Sequence, residues 1–305
     1  MMHVLVSSDK KYLKITATML FSIKMSNCEP VHVWFLHRGI ANEEQVKFIK
    51  YIKEKCGYDT TFVEIDDTTV EALKAPIYIK HITVETYYRL LAQFLLPEDL
   101  DRILWLDSDL IVKGSIAEFY YQELNPYSLI ACMNMGESKT GFDNRKRLGL
   151  PDDYVYFNAG VLLLNLDYLR KKTTPEKILR FCHENIDKIM LQDQDVLNML
   201  YHKSAYVLTN QIYNCLSNSP ESFVTNDICE RAHIIHYAGI MKPWSFRWQD
   251  DYSRYYWDVR KQEELNTRDK ITIAIGLLWR IINGNKILKV VMSPWFWVNA
   301  RLDVK

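Results

Sequence analysis

The chain has 305 residues, 48% of them hydrophobic and 25% charged, enough to bury a sizeable core in one main domain with an appendage. Its 38 basic residues balance 38 acidic ones, so no overall field draws it to nucleic acid, which is not expected as a partner. The six cysteines, Cys28, Cys56, Cys132, Cys182, Cys215 and Cys229, form no CxxC pair and show no zinc spacing, so they read as thiols of a reducing compartment.

HVLV (His3–Val6) reads as a buried strand, Tyr12 to Met25 as a helix, Val31–His37 as a strand, Asn42 to Cys56 as a helix opened by NEEQ, and Thr60–Ile65 as a third strand. Short apolar strands separated by helices imply a mostly parallel sheet covered on both faces. A helix from Val84 to Leu96 stops at Pro97, and ILWL (Ile103–Leu106) then reads as a fully buried strand. Next come Tyr127–Met133, a polar loop to Asp153, YFNAGVLLLNL (Tyr156–Leu166), a helix from Pro175 to about Lys188, LQDQDVLNMLY (Leu191–Tyr201) and a strand in AHIIHYAG (Ala232–Gly239). No internal repeat interrupts the series. The apolar start is too short for a signal peptide, and no Asn-x-Ser/Thr acceptor with a permitted middle residue occurs, so a cytoplasmic location is expected.

The segment RILWLDSDLIV (Arg102–Val112) places two carboxylates, Asp107 and Asp109, where a buried strand leaves the sheet. Ligands of open parallel sheets bind beyond the carboxyl ends of strands. Two acids turned to one point need a cation or a proton between them, and Mg2+ or Mn2+ suits such hard ligands. A solvated turn with two surface acids is the other reading. His236, ending HIIH beside Gly239, Lys242 and Pro243, is a candidate third ligand, or else a packed core histidine. Asn158 in Asn-Ala-Gly offers an amide where small residues let a backbone approach a ligand. Asp193 and Asp195 either face that site or are the acidic first turn of a helix.

Taken in order and spacing, VLVSSDKKY, TYYRLL, LWLDSDLIV, YFNAGVLLLNL, LQDQDVLN and HYAGIMKPW resemble glycosyltransferase family 8, retaining sugar transferases of the GT-A fold, in particular bacterial lipo-oligosaccharide galactosyltransferases and glucosyltransferases. The resemblance covers roughly residues 3–250. It implies an α/β nucleotide-binding domain with a mixed, mostly parallel sheet over residues 1–255, and a hexosyltransferase using a UDP-hexose donor and a glycan or lipid-linked acceptor. Asp107, Asp109 and His236 match its Mn2+ (or Mg2+) ligands. Ser7, Asp9 and Tyr12 match its uridine contacts, Arg89 its arginine near the donor sugar, and Asn158 and Asp193 its readers of sugar hydroxyls. Gln194 matches the residue facing the anomeric carbon, and Gly239 and Lys242 its diphosphate contacts. Ser108 and Ala159 lie inside two of the donor-binding motifs. Lys10 and Lys11 depart from the acidic or amide residues often found after the first Asp. The resemblance thus assigns Arg89, Asp193 and Gln194 to catalysis.

Two other functions fit parts of the pattern: a nucleotidyltransferase, which would need a glycine-rich loop that SSDKKY lacks, and a non-catalytic sugar-nucleotide-binding protein. The last stretch, 256–305, reads as a basic, aromatic helical appendage. From 270 to 305 it carries six basic residues and one acid, with Ile271–Gly284 apolar and VVMSPWFWV (Val290–Val298) aromatic. That composition suits the anionic inner face of a membrane, its apolar runs being too short to span one; a helical cap packed on the catalytic domain is the other reading.

Overall fold

The computed structural model describes residues 1–66, 84–134, 143–217, 226–239, 242–245, 252–263 and 266–284. Two compact units divide at Ile240, Met1–Ile240 and Met241–Lys305.

The first unit is built on a seven-stranded sheet in the order β3-β2-β1-β4-β7-β6-β8. Its strands are β1 Met2–Ser7, β2 Val31–His37, β3 Asp59–Glu64, β4 Arg102–Leu106, β6 Leu129–Met133, β7 Phe157–Asn165 and β8 Ala205–Leu208. Neighbours pair in parallel except around β7, which runs antiparallel to both β4 and β6. The sheet is therefore mixed and mostly parallel, as the alternation of strands and helices implied. All nine residues of β7 are buried, and its stretch Val161–Leu164 is apolar without interruption because the strand is covered on both faces. One face packs Val4, Val6, Val33, Phe35 and Leu104 under helices α1 (Leu13–Ser26) and α2 (Asn42–Cys56). The other packs Leu5, Trp105, Leu162 and Leu164 against Tyr87, Tyr88 and helices α3 (Pro175–Glu184) and α4 (Asp193–Tyr201).

Several elements differ from the sequence pattern: the helix expected from Pro175 to about Lys188 ends at Glu184, with a 3-10 turn following at Ile186–Lys188. The expected helix Val84–Leu96 is a 3-10 helix over Val84–Leu91, followed by one α-turn, Ala92–Leu95. Three-residue winding eclipses positions i and i+3. Tyr87 therefore lies over Leu90 and Tyr88 over Leu91, two rows that are both buried. The polar loop before Asp153 contains a short helix, Asn144–Leu148; the Asp143 carboxylate caps Lys146 N and Gly149 closes it at φ 71°. The aromatic run 290–298 lies outside the described residues.

A three-stranded sheet stands beyond the carboxyl end of β4, in the order β5-β10-β9, with β5 Leu110–Val112, β9 Cys215–Leu216 and β10 Ile234–His236. Strand β10 is antiparallel to β5 and parallel to β9. The turn at 107–109 is thus the junction between two sheets.

In the second unit, α5 (Ser253–Gln262) and α6 (Thr267–Gly284) are tied by the buried Arg260, whose guanidinium meets Glu263 at 2.7 Å and Asp269 at 2.8 Å. Asn266 and Asp269 cap each other reciprocally at the start of α6. No described helix is long and apolar enough to cross a membrane.

Candidate active site

Pairing of β5 with β10 sets His236 opposite Leu110, and Tyr237 N donates to the Asp109 carbonyl at 2.9 Å. His236 Nε2 consequently lies 3.2 Å from Asp109 Oδ1 and 3.8 Å from Asp107 Oδ2. One ligand atom from each of the three falls within 4.8 Å of the others. Ligands on adjacent corners of an octahedron about 2.1 Å from a divalent ion stand about 3 Å apart. Two carboxylates and an imidazole at these spacings therefore match a hard or borderline divalent ion. The imidazole is buried while the carboxylates retain 25% and 17% exposure, which leaves an open side for further oxygen ligands.

Asp107 is held by one oxygen only. Its Oδ1 accepts from Arg89 Nη2 at 2.8 Å and from Trp105 Nε1 at 2.9 Å, so Oδ2 is the atom turned toward His236. Arg89 is itself buried, with its guanidinium carbon 4.4 Å above the Trp105 ring and Nη1 donating to the Ala159 carbonyl. Its Nε–H is directed at the Thr86 carbonyl, 3.1 Å away. Asp193 Oδ2 approaches the same nitrogen at 2.9 Å, as an ion-pair partner rather than an aligned acceptor. Burial drives the Asp193 carboxyl up to about 7; Arg89 opposes the rise and Asp107 adds to it.

Gln192 precedes α4 at φ 52°, a conformation that costs about 1–3 kcal/mol for a residue with a side chain. Beyond it, Gln194 is fixed at both ends of its amide. Its Oε1 accepts from Ala159 N at 3.1 Å and Asn158 Nδ2 at 3.0 Å, and its Nε2 donates to Tyr156 OH at 3.2 Å. Tyr156 in turn donates to Asp195 at 2.7 Å. Asp195 is fully buried and also accepts from Arg147 and from the backbone N–H groups of Met190 and Leu191. Asp193 and Asp195 both lie in the first turn of α4, as the helix-dipole reading has it, and Asp193 also faces Arg89.

The Asn-Ala-Gly run also makes room for the imidazole. A Cβ at Gly160 would stand 2.7 Å from His236 Nδ1 and closer still to Cε1, so the glycine permits the close approach of that ring.

Of the other residues singled out from sequence, Tyr12 sits by the acidic turn: burial, then the Asp109 and Asp9 carboxylates, push its phenol up to about 12. Asp9 caps Tyr12 N at 3.1 Å, and the Ser7 hydroxyl donates to the Glu85 carbonyl at 3.2 Å. Ser108 accepts from Thr16 Oγ1 at 2.8 Å, so its hydroxyl locks α1 to the turn. Gly239 takes φ 84° just after β10. Lys242 belongs to the second unit, where its carbonyl accepts from Ser245 N. Trp105, Arg147, Tyr156 and Asn214, whose amide oxygen lies 2.9 Å from His236 Nδ1, also build the site, although no sequence pattern singles them out: Trp and Tyr are common in cores, and Arg and Asn common on surfaces.

Residues 3–247 match the family described as Glycosyl transferase family 8. The chain belongs to glycosyltransferase family 8. It is 28% identical over 248 residues to a lipopolysaccharide 1,2-glucosyltransferase of Escherichia coli, covering 77% of this chain and 71% of that protein. To general stress protein A of Bacillus subtilis it is 25% identical over 280 residues, 87% of this chain and 95% of the relative. The fold matches that of the galactosyltransferase LgtC in complex with donor and acceptor sugar analogues, with a TM-score of 0.72 at 22% identity, covering 89% of this chain and all of LgtC. As a member of this family the protein is a transferase.

Two outcomes are expected from this geometry. Gly160→Ala should displace the His236 ring, keep the far-ultraviolet circular dichroism of the parent, and weaken Mn2+ binding about tenfold or more, read by electron paramagnetic resonance of free Mn2+. The second concerns pH. The folded Asp193 value lies above the ordinary 3.8, so stability from keeping this carboxyl neutral is fully present below about 4 and lost as pH rises through 7. Metal-free protein should melt a few degrees lower at pH 8 than at pH 5.5, since each kcal/mol moves Tm by about 2–4 °C in a domain this size. Asp193→Asn should shrink that difference.

Proposed function

We propose that this enzyme moves a hexose, glucose or galactose, from a UDP-sugar to a glycan or glycolipid acceptor with retention of configuration, using Mn2+ or Mg2+ held by Asp107, Asp109 and His236. The observation that carries this reading is the convergence of two carboxylates and an imidazole beside a glutamine that is rigidly held and carries no charge. The E. coli relative is named for glucosyl transfer, and a Salmonella typhimurium relative, 26% identical over 243 residues, is a lipopolysaccharide 1,3-galactosyltransferase.

A divalent ion, when bound, supplies positive charge to a leaving diphosphate. The protein's own residues do the rest. Arg89 and Trp105 anchor Asp107 so that one oxygen stays directed into the site. Ser7, Asp9 and Tyr12 take the uridine, with the Tyr12 ring stacking on the base. Gly239 and Lys242 meet the diphosphate, Lys242 as a compact charge. Asp193, held by Arg89, and Asn158 read sugar hydroxyls. Breaking the anomeric bond leaves positive charge on the sugar, and Gln194 supports it from the far face. An amide is a poor nucleophile and a poor base, so neither a glycosyl-enzyme nor an inverting attack is served there. Same-face attack by the acceptor follows.

The test is a donor screen with Mn2+ that measures UDP release and product configuration. UDP-glucose or UDP-galactose should be consumed, the first-formed product should be α-linked by NMR, and Asp109→Asn should lose about 100-fold or more in rate with its fold intact. A β-linked product, or full activity of Asp109→Asn in chelator, refutes the reading.

The enzyme is also proposed to work in the cytoplasm, at the inner face of the membrane. Ile271 and Leu278 on α6 are 48% and 55% exposed, and the stretch 270–305 carries a net charge of about +5. Apolar side chains and basic residues together suit an anionic lipid surface. Vesicle affinity, measured by co-sedimentation with vesicles containing anionic lipid, should fall about 100-fold or more for Ile271→Ser/Leu278→Ser, given about 1.5–3 kcal/mol for each of the two buried side chains. Equal sedimentation of parent and variant refutes it.

A further inference from the structure

His236 has two ring nitrogens, and only one arrangement of its proton leaves a lone pair facing the carboxylates. The surrounding hydrogen bonds decide which, starting from a backbone N–H whose direction is beyond doubt. Gly160 N donates to Asn158 Oδ1 at 2.9 Å, which fixes that end of the Asn158 amide as the oxygen. The same oxygen accepts from Asn214 at 2.8 Å, so Asn214 must present its NH2 there. Its oxygen is then the atom 2.9 Å from His236 Nδ1. An amide oxygen only accepts, and Nδ1 must therefore carry a hydrogen. In the neutral ring the lone pair falls on Nε2, the nitrogen that faces Asp109 and Asp107.

Without that partner the ring has a competing choice. Nε2–H would donate to Asp109 Oδ1, 3.2 Å away, and the lone pair would fall on Nδ1 instead. The acidic turn itself thus favours the tautomer that cannot bind an ion. Asn214 opposes it from a fully buried position, with both ends of its amide engaged. Its place in the fold follows from the small sheet: β9 pairs with β10 so that Leu216 stands opposite His236, and Asn214 lies two residues earlier.

We infer that Asn214 is a positioning residue: it fixes His236 in the Nδ1–H tautomer, keeps the ring from capturing Asp109, and so sets the divalent-ion affinity of the Asp107–Asp109–His236 site. This rests on the reading of that trio as a metal centre. Histidine ligands owe their orientation and basicity to such partners, whose loss costs about 10–100-fold in metal affinity. The hydrogen bonds run donor to acceptor in one sense from His236 through Asn214 and Asn158 to Gln194, so the residues proposed for the ion and for the sugar share one rigid set of hydrogen bonds.

The experiment combines Mn2+ binding with 15N NMR of histidine-labelled, metal-free protein at alkaline pH. Loss of its signal in His236→Gln assigns the ring. In the parent protein, the proton should reside on Nδ1. In Asn214→Leu it should move to Nε2, and Mn2+ affinity, measured with and without UDP, should fall about 10–100-fold. Asn214→Asp, which keeps an oxygen for Nδ1–H but loses the donor to Asn158 Oδ1, should bind Mn2+ more tightly than Asn214→Leu. Protonation on Nε2 in the parent, or a folded Asn214→Leu protein that binds Mn2+ as tightly as the parent, overturns the inference. If Asn214→Leu fails to fold by circular dichroism, the parent NMR signal and the Asn214→Asp affinity decide it. A parent that binds no Mn2+ under either condition, yet shows the proton on Nδ1, removes the metal reading and leaves the tautomer assignment standing.

Discussion

Three carboxylates, Asp107, Asp109 and Asp193, crowd a half-buried space, and the structure around them is arranged to make that concentration of negative charge tolerable. One guanidinium serves two of them: Arg89 lies 2.8 Å from Asp107 and 2.9 Å from Asp193. Removing such a group from a buried site leaves uncompensated charge, which costs far more than the pair itself contributes. Its burial under Trp105 and its bonds to backbone carbonyls leave the guanidinium no other position. Asp109 and the second oxygen of Asp107 face His236 rather than Arg89.

The same constraint explains the second sheet. A seven-stranded sheet can deliver one acidic turn to the end of β4, but a histidine 127 positions later has to be brought beside it. Antiparallel pairing of β5 with β10 does this through backbone hydrogen bonds, so the distance is set by strand geometry rather than by flexible side chains. Gly160 then removes the Cβ that would block the ring, and Asp107 N donates to the Gly160 carbonyl at 2.9 Å, so the acidic turn is held by the residue that admits the imidazole. A site on strand ends is more exact than one on loops, and donor chemistry depends on that exactness.

Legibility in the sequence followed periodicity. Strand β2 and helix α2 fall on the residues that the pattern indicates, Val31–His37 and Asn42–Cys56, because a continuous apolar run and an amphipathic repeat each admit one period. The winding of Val84–Leu91 was hidden, since a 3-10 helix and an α-helix share composition and differ only in which rows must be buried. The helix Asn144–Leu148 was hidden because five residues cannot show a period; only its cap, Asp143, and the following Gly149 mark it. Asn214 left no trace at all: an asparagine between Tyr213 and Cys215 carries nothing to separate a buried anchor from a turn.

The sequence by itself determined which chemistry was available: paired acids after a buried strand, a histidine at the end of another, and motifs in an order that resembles one family. Those follow from local composition and spacing, which are properties of the chain alone. Only the tertiary structure decided how these groups are held. The antiparallel sense of β7, the sharing of Arg89 between two carboxylates, the passage of His236 over Gly160 and the direction of the Asn214 amide all join residues from roughly 18 to 104 positions apart. Such contacts depend on strand order and on the hydrogen bonds available to buried groups, and no local pattern encodes either.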